Sequence, residues 1–258
     1  MIGLICFIGK SALVCARLQV SMEKLIDEIS VFFPAYNEEN NIKNTILSAK
    51  RVLEKVASKW EIIIVDDGSK DKTGQIAEIL SKKFKPKIKT VHHLLNRGYG
   101  GALKSGYEKA KYKWVAFSDS DGQFDFSEIT KFIQKQKETG ADLVLGIRIK
   151  RADPVIRRLA TFIWSQILPR VLLGLKVSDY SCGFKLIRKK VYDSVQPLVG
   201  EEKVTQIEML TKAQRAGFKF AEVEVSHYSR KFGRQTGADL KVILKSIKDL
   251  AKLWWQMK

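Results

Sequence analysis

Short apolar segments alternate with segments of helical periodicity along most of this chain, and this alternation restricts the fold more than any other feature. Apolar runs that predict strands lie at residues 29–34, 60–65, 88–94, 114–117 and 141–147. Between them, apolar residues recur every three or four positions, as they do in amphipathic helices. Strands that alternate with helices on this spacing predict an α/β domain with a parallel, doubly wound sheet.

Polar loops follow three of the predicted strands, at residues 35–40, 66–69 and 118–123. Parallel strands end at the same edge of a sheet, and open α/β sheets bind their ligands at that edge. We therefore expect the three loops to converge. A single Asp-Asp-Gly-Ser loop is more often a helix-capping turn, but three such loops together favour a functional site.

The loop after the fourth strand carries the clearest chemical signal. Asp119 and Asp121 are one residue apart, and Gln123 follows them. Their oxygens are hard donors, which suit Mg²⁺ or Mn²⁺ that also binds phosphate. The alternative is an Asp- and Gly-rich turn that only ends a strand.

The other loops add the elements of a nucleotide site. Tyr36 could cover a base or a sugar, and Asp66 or Asp67 could accept hydrogen bonds from a nucleobase or ribose. The glycine-rich loop at 96–101 precedes a helix that we expect to begin near Ala102, and its N–H groups could bind an anion. Its spacing is neither that of a P-loop nor that of a dinucleotide fingerprint.

Four segments together resemble the family 2 inverting glycosyltransferases of the GT-A fold, and most closely their dolichol-phosphate mannosyltransferase-like branch. They are Phe-Pro-Ala-Tyr-Asn-Glu-Glu at 33–39, Val-Asp-Asp-Gly-Ser at 65–69, Asn-Arg-Gly at 96–98 and Asp-Ser-Asp-Gly-Gln at 119–123. The resemblance extends over residues 29–250. It implies an α/β GT-A domain, with a mostly parallel doubly wound sheet and appended amphipathic helices.

The resemblance also implies a role for individual residues. The nucleotide-binding residues would be Pro34, Tyr36, Glu38, Asp66, Asp67, Arg230 and Arg234, of which the two arginines lie in a basic loop similar to one that closes on the diphosphate. The metal ligands would be Asp119, Asp121 and Gln123. The catalytic group would be Asp121, Asp179, Arg148 and Arg157. Arg148 and one of Arg157 and Arg158 would bind an acceptor phosphate.

Two features of the second half of the chain bear on the acceptor. We expect a return strand at 177–179, ahead of a segment that resembles the family's sugar-binding turn. The helix predicted at 205–216 carries Gln206 and Glu208, where many polysaccharide synthases of the family have an acidic pair that supplies the base. This departure weakens the assignment of a base in this chain.

The sequence predicts three regions: an extension of uncertain structure at 1–28, the GT-A domain at 29–237 and a basic amphipathic helix at 238–258. The domain includes an amphipathic segment at 154–175, whose wide apolar surface fits either a core helix pair or a helix in a membrane interface. The C-terminal helix either docks on its own domain or contacts lipid headgroups. No segment is long and apolar enough to predict a membrane span.

The charge of the chain implies an anionic partner. The formal net charge is +18, and three scattered cysteines indicate a reducing compartment. A nucleic-acid-binding protein would explain the charge, but it would leave the acidic loops unexplained, and no nucleic-acid module is evident. We therefore expect an anionic membrane surface and phosphorylated substrates as partners, and no nucleic acid.

These inferences together predict an inverting glycosyltransferase. It would move a hexose, mannose or glucose, from a GDP- or UDP-sugar donor to a polyprenyl (dolichyl) phosphate, with Mg²⁺ or Mn²⁺ as cofactor. We expect the protein to be peripheral at the cytoplasmic face of a membrane. The alternative is a family 2 enzyme that acts on a hydroxyl of a polysaccharide or glycolipid.

Overall fold

A seven-stranded sheet forms the centre of the structure. The computed structural model describes residues 24–149, 168–200, 202, 204–232 and 249–255. The strands in this part of the chain have the spatial order β3-β2-β1-β4-β6-β5-β7. Their bounds are β1 Ile26–Ala35, β2 Ala57–Asp66, β3 Ile88–His92, β4 Trp114–Ser118, β5 Leu143–Ile149, β6 Phe184–Arg188 and β7 Phe220–Ser226.

Helices pack on both faces of this sheet. Their bounds are α1 Ile42–Val56, α2 Thr73–Lys83, α3 Gly98–Lys109, α4 Ile129–Thr139, α5 Leu168–Leu173, α6 Lys189–Ser194 and α7 Val204–Arg215, with a 3₁₀ turn at Phe126–Glu128 and a helical segment at 249–255. None of the helices in the described part of the chain is long and apolar enough to cross a bilayer.

The alternation of side chains along β1 explains the two layers of helices. Val31 and Phe33 belong to the apolar cluster that contains residues of α1, α2 and α4, whereas Phe32 belongs to the cluster that contains residues of α3, α6 and α7. Successive side chains of a strand point to opposite faces, so a strand that is covered on both faces is apolar throughout. The predicted doubly wound α/β architecture is therefore confirmed.

The sheet is mostly parallel, with one exception. Strands β1 to β4 pair in parallel, as do β5 and β7, whereas β6 is antiparallel to both β4 and β5. The return strand expected at 177–179 is wrong, because the strand is β6 and residues 177–179 form a loop. The N–H of Ser178 donates to the Glu222 side chain at 2.6 Å, so it makes no ladder bond.

Several predicted features differ in their bounds or lie outside the described residues. Strand β1 begins at Ile26, slightly before residue 29, and α3 begins at Gly98 and not near Ala102. Both Arg157 and Arg234 lie outside the described residues, as do most of the 154–175 segment and residues 238–248 of the predicted C-terminal helix.

Glu61 joins three neighbouring elements through its carboxylate. It is 1% exposed in β2 and accepts hydrogen bonds from Ser30 Oγ of β1 at 2.7 Å, Lys89 Nζ of β3 at 2.9 Å and the N–H of Lys111 at 3.0 Å. Burial raises the pKa of Glu61, but the hydrogen bonds from Lys89 and Ser30 outweigh it, so the pKa is lowered. A lowered pKa means that the ionised carboxylate stabilises the fold above pH 5, and that this contribution is lost as the pH falls.

We expect Glu61→Ala to lower the free energy of unfolding by about 2 kcal/mol at pH 7, because the buried Ser30 hydroxyl and the N–H of Lys111 lose their acceptor. Urea denaturation measures this. The matched control is Glu54→Ala, which removes the exposed ion pair with Lys50 at 2.6 Å and should cost less than about 0.5 kcal/mol. Equal losses in the two variants would contradict the role given to Glu61.

Candidate active site

The three polar loops converge at the carboxyl edge of the sheet, as the sequence predicts. Ser120 Oγ donates to the carbonyl oxygen of Pro34 at 2.7 Å, which joins the loop after β4 to the end of β1. The N–H of Asp67 donates to the carbonyl oxygen of Ala35 at 2.9 Å, which joins the loop after β2 to the same strand. Tyr36 follows on this edge and is half-buried.

Asp119 occupies a confined position in this edge. Its Oδ1 accepts a hydrogen bond from Tyr99 Oη at 3.0 Å, and its N–H donates to the carbonyl oxygen of Gly183 at 3.1 Å. A Cβ at Gly183 would lie 2.0 Å from Asp119 Oδ2, so only glycine leaves room for this carboxylate. Burial, followed by repulsion from Asp121, raises the pKa of Asp119 to about 7.

Asp121 and Gln123 connect the loop after β4 to the segment after β7. Asp121 Oδ1 accepts from the N–H of Gln123 at 3.0 Å. Gln123 Nε2 donates to the carbonyl oxygen of Tyr228 at 2.8 Å, and the N–H of Tyr228 donates to the carbonyl oxygen of Gln123 at 2.9 Å. The Gln123 side chain thus has a visible structural role, and its role as a metal ligand stays a prediction.

The donor set fits a cation that shares its coordination with substrate. Within the described residues, no group of three or more His, Cys, Asp and Glu side chains is placed to hold a metal ion. Mg²⁺ is usually bound through one or two carboxylates together with water and substrate phosphates. The mutual repulsion of Asp119 and Asp121 is what a divalent cation would relieve, so two carboxylates at this position fit such an ion.

Arg230 bridges two of the predicted site carboxylates. Its Nη2 donates to Glu38 Oε1, and its Nη1 lies 3.5 Å from Asp121 Oδ2. Glu38 is 7% exposed and also accepts from Asn41 Nδ2 at 2.7 Å. Burial raises the pKa of Glu38, although these hydrogen bonds oppose the effect. The segment after β7 therefore delivers a cation to the centre of the site.

Two histidines at the end of β3 hold the aspartates at the end of β2, and the sequence reasoning missed both of them. His92 Nδ1 lies 2.9 Å from Asp66 Oδ2, and His93 Nδ1 lies 2.5 Å from Asp67 Oδ1. The parallel register pairs Asp66 with His92 directly. The sequence contained a signal for them, because two adjacent polar residues lie at the end of both β2 and β3.

Asp179 and Arg148, predicted as separate catalytic residues, form one buried ion pair. Arg148 Nε donates to Asp179 Oδ2, and its Nη2 donates to Oδ1, both at 2.8 Å. Arg148 Nη2 also donates to Ser181 Oγ at 2.6 Å. Asp179 is 2% exposed. The pair links the end of β5 to the loop before β6, so both residues have a structural role besides the predicted ones.

The helix for which the sequence weakened the assignment of a base uses its carboxylate for local contacts. Glu208 is fully buried in α7 and accepts from the N–H groups of Gly200 at 2.6 Å and Val199 at 3.2 Å, and from Lys212 Nζ at 2.6 Å. These contacts hold the loop before α7. Glu208 is therefore an anchor of that loop.

The match to a known family agrees with this geometry. Residues 30–196 match the family model described as glycosyl transferase family 2. The chain belongs to glycosyl transferase family 2.

Two relatives are similar in sequence to this family 2 chain over most of its length. It is 30% identical over 237 residues to glycosyltransferase AglD of Haloferax volcanii, which covers 89% of this chain and 37% of AglD. It is 32% identical over 221 residues to an undecaprenyl-phosphate 4-deoxy-4-formamido-L-arabinose transferase of Pectobacterium atrosepticum, which covers 84% of this chain and 65% of that protein. The chain thus spans less than two thirds of the length of either relative.

Solved structures confirm the GT-A type of α/β fold. Glucosyl-3-phosphoglycerate synthase from Mycobacterium tuberculosis, in complex with UDP, gives a TM-score of 0.66 at 21% identity, over 89% of this chain and 80% of that one. Its complex with Mn²⁺ and UDP-glucose gives 0.65 at 19% identity, over 90% and 79%. The dolichol-phosphate mannosyltransferase-like branch of family 2 stays a prediction.

We expect Arg148→Ala to lower the free energy of unfolding of this family 2 protein by about 3 kcal/mol, because the buried Asp179 would lose two charge-assisted hydrogen bonds. Asp179→Ala should be similarly destabilising. The double variant should lose clearly less than the sum of the two, since a buried pair is coupled. Urea denaturation of all three variants measures this, and additive losses would contradict the coupling.

Proposed function

We propose that this chain is an inverting glycosyltransferase that moves a hexose from a nucleotide diphosphate-sugar to a polyprenyl phosphate. The observation that carries the proposal is the convergence of Asp119, Asp121 and Glu38 with Arg230 at the carboxyl edge of the sheet. A leaving diphosphate requires positive charge, which an arginine and a cation held by the paired carboxylates would supply. Membership of family 2 supports the same reaction type.

Different residues would bind the metal, the diphosphate and the nucleoside of the donor. Asp119 and Asp121 would hold Mg²⁺ or Mn²⁺, which supplies positive charge to the departing diphosphate when it is bound. Arg230 would exchange its carboxylate partners for diphosphate oxygens, since a guanidinium binds phosphate well. Asp66 and Asp67, fixed by His92 and His93, would accept hydrogen bonds from the nucleoside. A single direct displacement inverts the anomeric configuration.

The chemistry of the acceptor favours a phosphate over a hydroxyl. A sugar hydroxyl needs a base to take its proton, whereas a phosphomonoester with a second pKa near 6 is already anionic at pH 7. The carboxylate of α7 is fully occupied, because Glu208 holds Gly200, Val199 and Lys212. The relative from Pectobacterium is named for an undecaprenyl-phosphate substrate, which supports a polyprenyl phosphate as acceptor.

The sugar, the acceptor and the nucleotide can be specified further. Mannose or glucose as the sugar, dolichyl phosphate as the acceptor and GDP or UDP as the nucleotide follow from the family resemblance, and the neighbour crystallised with UDP-glucose supports UDP. A lipid acceptor would require the protein to act at a membrane surface. We propose peripheral association with the cytoplasmic face, for which the basic stripe of the sequence at 238–258 is the support. Acceptor-phosphate binding by Arg148 and Arg157 belongs to the same proposal.

The test is a donor panel. Purified protein is incubated with GDP-mannose, UDP-glucose and related donors and a short-chain polyprenyl phosphate, with and without EDTA. We expect one donor to give product, and both EDTA and Asp121→Asn to abolish it. The control is Asp125→Asn in the same loop, since this exposed side chain only accepts from the N–H of Ser127 at 2.9 Å. Transfer that survives EDTA and Asp121→Asn would remove the metal site.

A second measurement separates the two acceptor classes. Removal of a general base costs about 10²- to 10⁴-fold in rate. If the acceptor is a phosphate, Glu208→Gln should retain kcat within about fivefold, while losing about 1–2 kcal/mol of stability through its buried contacts. A fall in kcat of a hundredfold or more in a folded variant would instead support a hydroxyl acceptor.

A further inference from the structure

A fully buried lysine, Lys185, lies near the site, and the proposed reaction gives it no role. Lys185 is 0% exposed in β6, and its ammonium group donates to the carbonyl oxygen of Cys182 and to Gln206 Oε1. It also lies 5.2 Å from the centre of the Phe117 ring, on the neighbouring strand. Burial of a charge is costly, and an apolar residue of similar volume would avoid that cost. The position of Lys185 therefore calls for an explanation beyond packing.

The contacts of Lys185 continue to a predicted metal ligand. Gln206 Nε2 donates to Tyr99 Oη at 3.2 Å, and Tyr99 Oη donates to Asp119 Oδ1 at 3.0 Å. These three side chains come from β6, α7 and α3, and Asp119 follows β4. Gln206 stands in the helix in which the sequence reasoning sought a base, and its amide forms the middle of this chain of hydrogen bonds.

The lysine fixes the direction of every bond in this chain. An ammonium group has only donors, so the atom that Gln206 turns toward Lys185 is its oxygen. The amide nitrogen of Gln206 must then donate to Tyr99, and the Tyr99 hydroxyl, having accepted there, directs its own proton to Asp119. A neutral residue at position 185 would allow the amide to flip, and Tyr99 could then donate to Gln206.

We propose that Lys185, Gln206 and Tyr99 form a relay that positions the Asp119 carboxylate for a divalent cation. The relay holds Oδ1, while the absence of a side chain at Gly183 makes room for Oδ2. A ligand that is oriented before the ion arrives loses less rotational freedom on binding. Lys185, Gln206 and Tyr99 are thus positioning residues, and this inference rests on the metal site of the proposed function.

The experiment measures Mn²⁺ affinity by the EPR signal of the free ion, with UDP and separately with GDP present. Hydrogen-bond partners of metal ligands typically account for about 10- to 100-fold in affinity. We expect Tyr99→Phe and Gln206→Met each to weaken Mn²⁺ binding about tenfold, and Lys185→Met to weaken it in the same direction. Because the three act through one path, Tyr99→Phe combined with Gln206→Met should bind Mn²⁺ no more weakly than Tyr99→Phe alone.

The matched control is Tyr107→Phe, in the same helix as Tyr99. Tyr107 is 1% exposed, and its hydroxyl has no hydrogen-bond partner among the described residues. This variant loses a buried tyrosine hydroxyl without touching the relay, so its Mn²⁺ affinity should stay within about twofold of the wild type. Thermal denaturation of each variant verifies that the protein remains folded.

The outcomes separate this inference from the proposed function. Wild-type protein that binds no Mn²⁺ with either nucleotide would overturn the metal site, and the relay with it. Wild-type binding together with unchanged affinity in Tyr99→Phe would overturn the relay alone. The relay would also be overturned if the losses of Tyr99→Phe and Gln206→Met multiplied in the double variant, because independent effects require no path between them.

Discussion

The parallel pairing of β1 with β2 and β4 determines where the carboxylates of the three polar loops lie. Because the three strands run in the same direction, their polar loops leave the sheet at one edge. The register places Ala35 beside Asp66, and the Ser120 hydroxyl closes the other side on the carbonyl oxygen of Pro34. The apolar residues within these strands hold this arrangement, since the strands are covered by helices on both faces. The acidic loops are thus brought together by the core.

The antiparallel strand β6 brings further residues against the site. Its insertion between β4 and β5 brings Gly183 against Asp119 and places Lys185 opposite Phe117. Two cations and two carboxylates then lie near one another, with Arg148 bonded to Asp179 and Lys185 connected to Asp119 through polar side chains. Buried charges are tolerated only when they are compensated in this way. The buried charges beside the site therefore all have polar contacts.

An arginine from outside the sheet compensates two other negative charges of the site. Glu38 and Asp121 face Arg230, which comes from the segment after β7 and not from the sheet itself. A guanidinium that contacts two carboxylates compensates the repulsion between their negative charges. In the reaction that we propose, the same guanidinium and the cation would both face the diphosphate. Rigid carboxylates on strand ends and a cation on a connecting segment suit a site that must accept and release a charged group.

The sequence by itself determined the class of the fold and the acidic edge of the site. Apolar runs such as 60–65 and 114–117 identified the strands, and the residues that end them, Asp66 and Asp119, follow from chain order alone. These features are local, and a parallel sheet turns them into neighbours without further information. The GT-A type of fold followed from the resemblance of four short segments.

Only the tertiary structure decided which side chains complete the site. The return strand was misplaced because 177–179 and β6 are short segments a few residues apart, and only the ladder to β4 and β5 shows which of them is the strand. The bond between Gln206 and Tyr99 joins residues 107 positions apart, and Lys185 lies in a segment for which no strand was predicted. Contacts of this kind depend on how helices pack across the sheet, which periodicity does not specify. A sequence therefore shows which residues end each strand, whereas packing decides which buried side chains hold them.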